Sequence, residues 1–377
     1  MTAGVAISGT GMHPFGRFED KTTTDMGVEA VRAALSEAGG PTFQAAFCAT
    51  VYAGVAAGHK VLGALGLTGV PIVDVEAGCA SGGAAVMLAA GAIRAGQYDT
   101  VLVFGIEKMP KGIIRSSFFE PWREEAGLAA TPAYFALRAQ RLMRESGVTK
   151  DHLAHVTVKN RMNGLDNPNA MFRKPTTAED VLASRVVCEP LHLHMLCSPN
   201  EGAAAVVLQR ADLAGTDAVT LSAAVLRSHL PGSVLGEATP MSGIDDTAIL
   251  PPSTLAADAA YEEAGIGPDD LDVVECQDTD AARELLAYEE LRLCARGEQP
   301  GLLADSATAR GGRLPVNVSG GLLSKGEPLG ASALAQVVEL TTQLRGMADA
   351  RQVPGARVGL AHTVGRGANA AVVIVTQ

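Results

Sequence analysis

The segment that decides the fold runs from Pro71 to Glu107 and reads PIVDVEAGCASGGAAVMLAAGAIRAGQYDTVLVFGIE. Its apolar runs predict strands at Ile72–Val75 and Thr100–Ile106, separated by a sharp turn and a helix rich in glycine and alanine. Cys79 stands where that helix begins, among unpaired backbone N–H groups and the positive end of the helix dipole, which stabilise a thiolate. A free cysteine is more often buried and inert. The strand–turn–helix context nevertheless favours Cys79 as a nucleophile.

Composition narrows the class of protein. The chain has 377 residues, 47% of them apolar, but lacks an apolar run near the ~20 residues of a membrane span and lacks the pattern of a secretory signal. Its net charge of −11 argues against nucleic acids and anionic membranes as partners. Six dispersed cysteines without a CxxC pair indicate neither a zinc ribbon nor a disulfide framework. We therefore expect a reduced, cytoplasmic protein.

The chain reads as two α/β halves, at residues 1–215 and 216–377. In the first half we expect a strand at Val5–Gly9 and a helix at Asp25–Ala38 with Thr24 as its N-cap. A polar, basic stretch at about 110–195 lacks strand signals and predicts an irregular insertion with one helix, Pro132–Ser146. The second half alternates strand and helix patterns again. VDVEAGCASGG after Pro71 and VNVSGGLLSKG after Pro315 echo each other, so a duplicated βαβ architecture is predicted.

Several segments together resemble one family. They are GCASGG around Cys79, GIEKMPKG at 105–112, VTVKNRMNGLDNPNAMFRKPTTAEDVLASRVV at 156–187, PNEGAAAVVL at 199–208, ECQDTDAARELLAYEELRLC at 275–294, VNVSGGLLSKGEPLGASALAQ at 316–336 and HTVGRGANAAVV at 362–373. On these motifs the chain resembles the thiolase superfamily, most closely the sterol-carrier-protein-X type and its bacterial thiolase-like (lipid-transfer-protein-like) relatives. The resemblance implies an α/β thiolase fold, with two duplicated βαβαβ-type halves in αβαβα layers and an inserted loop domain. It also implies acyl-CoA substrates and a homodimer or dimer of dimers.

The resemblance implies an active site made by four loops. The first is Cys79-Ala80-Ser81, and the last contains His362. The second loop reads His-Asp-Cys-Phe in the sterol-carrier type, but here it is Gln277-Asp278-Thr279-Asp280. The third usually reads Gly-His-Pro, but here it is Gly326-Glu327-Pro328. Two loops have therefore lost their usual acid/base residues.

We assign predicted roles to the residues that these four loops contain. His362 is the partner of Cys79 or the general base at carbon. The backbone N–H groups of Gly365 and Cys79 form an oxyanion hole, and Gln277 donates its amide to a thioester oxygen or holds a water. Glu327 leaves two interpretations open. It acts as a desolvated general base or pairs with a polar substrate, or it turns away to pair with Lys325 or an arginine.

Other polar residues receive weaker assignments. Arg161, Arg173, Lys174 and Arg185 in the insertion are candidates for binding coenzyme A phosphates, although any one such residue is more often a solvated surface charge. His192 and His194 alternate, but no third ligand has suitable spacing, so we expect no metal site. Asp278 and Asp280 are expected to act as anchors or as the N-cap of a helix starting at Ala281.

Three hypotheses on function follow. The first is a thiolase-like acyl-CoA C-acyltransferase that forms or cleaves a C–C bond of a β-keto acyl-CoA through a Cys79 thioester, with an aromatic, carboxylated or otherwise bulky substrate. Coenzyme A is then substrate or product, and no bound cofactor is needed. The second is a retro-aldolase of the same fold without a covalent intermediate. The third is a non-catalytic acyl-CoA-binding subunit. Relatives of this kind also suggest a small zinc-ribbon/OB-fold partner protein.

Overall fold

The computed structural model describes residues 3–112, 122, 125–126, 130–230, 249–365 and 369–377. Its strands are β1 Val5–Gly16, β2 Ala45–Ala49, β3 Ile72–Val75, β4 Thr100–Lys108, β5 Val186–Cys188, β6 Leu191–His192, β7 Glu201–Arg210, β8 Val219–Ser228, β9 Val273–Cys276, β10 Val358–Gly365 and β11 Asn369–Thr376. Its α-helices are α1 Thr23–Glu37, α2 Ala57–Leu65, α3 Ser81–Arg94, α4 Thr131–Ser146, α5 Lys150–Gly164, α6 Ala178–Ala183, α7 Pro252–Ala264, α8 Ala281–Glu290, α9 Gln299–Ala304, α10 Gly321–Lys325 and α11 Leu329–Leu344. Among the described residues, no helix has both the length and the apolar character needed to cross a bilayer.

One nine-stranded sheet carries the duplication. Its order is β3-β2-β4-β7-β1-β8-β11-β10-β9. In the first half, β2 pairs in parallel with β3 and β4, and β4, β7 and β1 follow antiparallel. In the second half, β9 pairs in parallel with β10, while β10, β11 and β8 follow antiparallel, and Val316 bridges Val274 in the place equivalent to β3. The repeated order confirms the predicted duplication.

The helices form the outer and central layers of the molecule. Helices α1 and α2 pack on the first half-sheet, and α7 packs on the second. Helices α3 and α11 contact each other and strands of both halves, so they form the central layer. A Cβ on Gly83 of α3 would lie 2.5 Å from the Cβ of Ala371 in β11, which shows why this helix needs small residues. The arrangement confirms the predicted αβαβα layers.

The insertion between β4 and β7 is more regular than we predicted. Helix α4 matches the predicted Pro132–Ser146 within one residue, but α5, α6 and the β5–β6 pair were missed. Helix α5 has little apolar periodicity because its buried residues include polar as well as apolar side chains. Asn160 donates to Asp278 and Glu284 at 2.8 and 2.6 Å, and Asn163 donates to the carbonyl of Asn317 at 3.1 Å. Buried hydrogen bonds, together with the apolar contacts of Leu153, Ala154 and Val156, dock this helix on the second half.

Several predicted boundaries shift. Helix α1 begins at Thr23, and its N-cap is Thr22 rather than Thr24. The Thr22 hydroxyl accepts from the Asp25 N–H at 3.1 Å, while the Asp25 carboxylate accepts from the Thr22 N–H at 2.8 Å. This capping box fixes the start two residues earlier than the apolar pattern suggests. The predicted boundary at 215/216 falls between β7 and β8, and we retain it as a proposal.

Candidate active site

A cavity of about 980 Å³ lies where loops of the two halves and the insertion meet. Five of the predicted site residues line it, namely Cys79, Arg161, Arg185, Gln277 and Glu327. They come from five separate segments of the chain, so only the fold brings them together. A cavity of this size accommodates a ligand as large as a typical cofactor or drug.

Cys79 opens on this cavity from the turn between β3 and α3. Ala80 is the N-cap of the helix, so the thiol precedes the first helical turn by two residues, as predicted. The Ser81 hydroxyl donates to the Gly78 carbonyl at 2.6 Å and accepts from the Ala77 N–H at 2.8 Å, which holds the turn in shape. Cys79 keeps 8% of its surface exposed. The thiol is therefore accessible from the cavity and lies beside the positive end of α3.

Glu327 faces the cavity rather than turning away. Its carboxylate accepts from the Gln277 amide at 3.0 Å and from the Cys197 thiol at 3.4 Å. Lys325, one partner considered for it, instead donates to the Ser319 hydroxyl at 2.6 Å and pairs with Glu275. The geometry favours the interpretation in which Glu327 takes part in chemistry at the cavity.

Gln277 connects the Glu327 carboxylate to the sheet. Its Oε1 atom accepts from the Val364 N–H of β10 at 2.9 Å, while its Nε2 atom donates to Glu327. One amide N–H is thus committed to Glu327 rather than to a substrate. Because both ends of the amide are held, Gln277 fixes the orientation of the carboxylate.

His362 has a different environment from the predicted one. It lies inside β10 with no exposed surface, and its Nε2 atom is 2.9 Å from the Ser253 hydroxyl of α7. Within the described part of the chain, the residues that line the cavity include Val364 from this strand but not His362. Its role as the partner of Cys79 or as the general base at carbon stays a prediction.

Gly365 lies against the turn that carries Cys79. A Cβ at this position would be 2.1 Å from the Ala77 carbonyl oxygen and 3.2 Å from the Ala80 Cβ. Only glycine allows β10 to come so close to the Cys79 turn. The backbone N–H of Gly365 as an oxyanion donor stays a prediction that this proximity supports.

A cationic and aromatic wall closes the cavity on the side of the insertion. The Arg161 guanidinium stacks on the Phe172 ring at 4.0 Å, and burial lowers its pKa to about 10, although Asp278 opposes that change. The Arg161 Nε atom is buried without a hydrogen-bond partner. Burial and the Arg161 charge lower the pKa of the neighbouring His194. This wall is suited to an anionic group of a ligand.

The other predicted basic residues lie elsewhere. Arg173 and Lys174 are exposed and, in the described structure, lie outside the cavity lining. The Arg173 Nε atom donates to the Leu165 carbonyl at 3.4 Å. A role for both in binding coenzyme A phosphates outside the cavity stays a prediction.

The aspartates of the second loop are anchors, as expected. Asp280 is the N-cap of α8 and accepts from the Arg283 N–H at 3.1 Å, and it also pairs with Arg138. Asp278 accepts from the Leu322 and Leu323 N–H groups at 2.6 and 3.1 Å. These bonds tie the loop to its neighbours and leave its other residues to face the cavity.

The paired histidines lie in different surroundings. His192 ends β6 and its Nδ1 atom lies 2.8 Å from the Ser184 carbonyl, whereas His194 belongs to a short 3₁₀ turn and lines the cavity. No cluster of three or more possible metal ligands occurs among the described residues.

Cys197 is a cavity residue that was not predicted from the sequence. This residue lines the cavity, and its backbone N–H donates to the Thr279 carbonyl at 2.9 Å. A signal was present, since the second loop has Thr279 where the resemblance predicts a cysteine, while an unassigned cysteine precedes the PNEGAAAVVL segment. The sequence alone did not show that the two segments touch.

Comparisons with known proteins cover nearly the whole chain. A thiolase N-terminal domain model matches residues 5–212, and a thiolase C-terminal domain-like model matches residues 237–377. The chain is 36% identical to an acetyl-CoA acetyltransferase of Methanothermobacter thermautotrophicus, covering 99% of each protein. It is 35% identical to sterol carrier protein 2 of Bos taurus, covering 96% of this chain and 70% of that protein. It is 35% identical to the benzoylsuccinyl-CoA thiolase subunit BbsB of Thauera aromatica, covering 97% and 96%.

A solved structure has the same fold. The Ltp2-ChsH2(DUF35) aldolase superposes with a TM-score of 0.84 at 24% identity, covering 98% of this chain and 97% of that chain.

Proposed function

The chain belongs to the thiolase superfamily, as its sequence predicted, and from that premise we propose an acyl-CoA C-acyltransferase that carries its acyl group on Cys79. The reaction forms or cleaves the C–C bond of a β-keto acyl-CoA. The observation that carries the proposal is a thiol at the start of a helix, facing a large cavity that also holds the Gln277–Glu327 pair. Coenzyme A acts as substrate or product, and the proposal requires no resident cofactor.

The proposed mechanism assigns each group a task. In the cleavage direction the Cys79 thiolate attacks the β-carbonyl carbon, and the backbone N–H groups of Cys79 and Gly365 stabilise the oxyanion. Breaking the C–C bond leaves the acyl group on Cys79 and a carbanion next to the thioester. The carbanion takes up a proton, coenzyme A gives up its thiol proton, and the resulting thiolate takes the acyl group from Cys79, which leaves as a thiolate. Glu327, held by Gln277, is the proposed general base in place of the usual imidazole.

The cavity supports a bulky or carboxylated acyl group. Aromatic side chains such as Phe135 and Phe172 line it together with the Arg161 guanidinium. One relative is named for benzoylsuccinyl-CoA, which is both aromatic and carboxylated. We therefore propose a substrate of that chemical class, without identifying the acyl chain.

Oligomers and partners form a further part of the proposal. We propose a homodimer or dimer of dimers that works with a small zinc-ribbon/OB-fold protein. The name of the relative BbsB, a thiolase subunit, supports a second component. All six cysteines are free thiols, in line with the predicted reducing cytoplasm.

A covalent adduct tests the proposed function. We expect incubation with acetyl-CoA, benzoyl-CoA or succinyl-CoA to acylate the protein once, with the added mass on the peptide that contains Cys79. Intact-protein and peptide mass spectrometry measure the adduct, and hydroxylamine should remove it because it is a thioester. If none of the three thioesters modifies Cys79, with or without a partner protein, the proposed mechanism is wrong.

Arg161→Met should weaken substrate binding with little effect on the maximal rate. Methionine preserves packing on Phe172 but removes a buried charge-assisted contact, so we expect the concentration for half-maximal Cys79 acylation to rise about tenfold. An equal rise with acetyl-CoA and succinyl-CoA assigns Arg161 to the coenzyme A phosphates, whereas a rise with succinyl-CoA alone assigns it to the acyl carboxylate. Arg32→Met, on an exposed site of α1, is the matched control. Unchanged binding of both thioesters would exclude Arg161 from the site.

A further inference from the structure

The cavity holds a second thiol that the proposed mechanism does not yet use. Cys197 lies in the segment between β6 and β7, and both it and Cys79 line the cavity. Two contacts fix it beside the second loop. Its backbone N–H donates to the Thr279 carbonyl at 2.9 Å. The preceding residue, Leu196, forms an isolated antiparallel β-bridge with Asp280. These backbone contacts therefore hold Cys197 in the cavity wall, unlike an isolated surface cysteine.

The reaction requires a proton at the carbon next to the thioester carbonyl. Cleavage leaves a carbanion there that must be protonated, and condensation must remove the same proton. The group responsible has to be a neutral acid that faces the same cavity as Cys79 and can be deprotonated in turn. The Gln277 amide does not ionise near neutral pH and so cannot supply the proton. The second loop has Thr279 where the resemblance predicts a cysteine.

Cys197 has the required surroundings. Its S–H group donates to the Glu327 carboxylate at 3.4 Å, so a base is already in contact with the acid. Burial, together with the negative charges of Glu327 and Asp278, raises the pKa of Cys197 well above the ordinary range of a thiol. The residue is therefore a neutral proton donor near pH 7. Once deprotonated, it is a strong base, as removal of a proton from carbon demands.

We propose that Cys197 is the catalytic acid/base that transfers the proton to and from the substrate α-carbon, with Glu327 as the group that relays a proton between coenzyme A and Cys197. The inference rests on the proposed function, because it requires the Cys79 thioester. It adds a residue from the loop before β7 to the three segments that carry Cys79, Gln277 and Glu327.

The proton transfers balance. In cleavage, the C–C bond breaks and its electron pair stays on the α-carbon, which takes the Cys197 S–H proton and leaves a Cys197 thiolate. Coenzyme A then loses its thiol proton to Cys197, directly or through Glu327. The resulting coenzyme A thiolate attacks the thioester on Cys79, and Cys79 leaves as a thiolate. Both cysteines return to their starting states, and no oxidant or reductant is needed.

Hydrogen–deuterium exchange at the α-carbon isolates this step from acylation. We would incubate the protein with acetyl-CoA or succinyl-CoA in D₂O, follow deuterium in the thioester by mass spectrometry, and record the Cys79 adduct in the same samples. In Cys197→Ala and Cys197→Ser we expect exchange to fall by about 10²-fold or more, with the adduct retained. Cys188→Ala is the control, since Cys188 lies in β5 and is not among the described residues that line the cavity.

Each remaining outcome overturns the assignment. Exchange at the wild-type rate in both Cys197 variants, with the adduct present, would leave the proposed function intact and exclude Cys197. Loss of the adduct itself in folded Cys197 variants would place the residue in acylation instead. Absence of an adduct in the wild-type protein would remove the proposed function and this inference together.

Discussion

Replacing Cys79 with alanine should lower kcat/KM for cleavage of a β-keto acyl-CoA by at least about 10³-fold, because the variant has no atom to carry the acyl group. Alanine removes one sulfur from a residue that is 8% exposed and leaves the Ser81 bonds that shape the turn, so the fold should persist. The measurement is the release of the two acyl-CoA products from a panel of β-keto acyl-CoA thioesters, followed by liquid chromatography.

Cys294→Ala provides the matched control for this loss. Cys294 is a partly buried free thiol that packs against the core of the second half, and it is not among the described residues that line the cavity. Its removal should leave turnover unchanged. Cleavage by the Cys79 variant at the wild-type rate would instead establish the retro-aldolase hypothesis, in which no covalent intermediate forms.

Much of the architecture was predictable because local patterns and tertiary packing agree. The strand at Ile72–Val75 and the helix that follows Cys79 occur as predicted, since three of the four strand residues are β-branched and apolar and the helix has small residues along its length. The prediction for the insertion was incomplete because local pattern and tertiary packing disagree there. Helix α5 buries Asn160 and Asn163 against the second half, so its sequence lacks the apolar period by which a helix is recognised.

In the active site, too, some residues were predictable from the sequence and others were not. The family resemblance predicted that the loops of Cys79, Gln277 and Glu327 converge, and all three residues line the cavity. His362 is different, because it stands inside β10, two residues before Val364, where α7 covers its ring. Cys197 could not be found from the sequence because its role depends on a contact with Thr279 across many intervening residues.

Glu327 emerges as the link between these groups. One carboxylate oxygen accepts from Gln277, which is fixed to β10, and the other accepts from Cys197. A carboxylate that touches a thiol disfavours its ionisation, so Glu327 keeps Cys197 protonated until a substrate carbanion needs the proton. The third loop therefore has the Glu327 carboxylate where the family usually has a histidine, and this carboxylate contacts Cys197, the thiol that lies beside the second loop.

Glu327→Gln should lower turnover by about 10² to 10⁴-fold, the usual contribution of a general acid or base. The amide oxygen of glutamine can still accept from Gln277, so the packing of the pair should survive. The substitution removes the negative charge that helps raise the pKa of Cys197, and that pKa should therefore fall. Ionisation of Cys197, measured by the pH at which iodoacetamide begins to alkylate its peptide, should then begin at a lower pH than in the wild-type protein.

Two results together decide whether Glu327 acts through this thiol. Glu263→Gln removes the same charge from α7, where Glu263 pairs with Arg94 near the surface, and it should change neither turnover nor the alkylation of Cys197. If Glu327→Gln lowers turnover but leaves the alkylation pH of Cys197 unaltered, the carboxylate acts on substrate or on Cys79 alone. If turnover is unchanged, the carboxylate has no part in proton transfer, and the loss of histidine from the third loop has no replacement at that position.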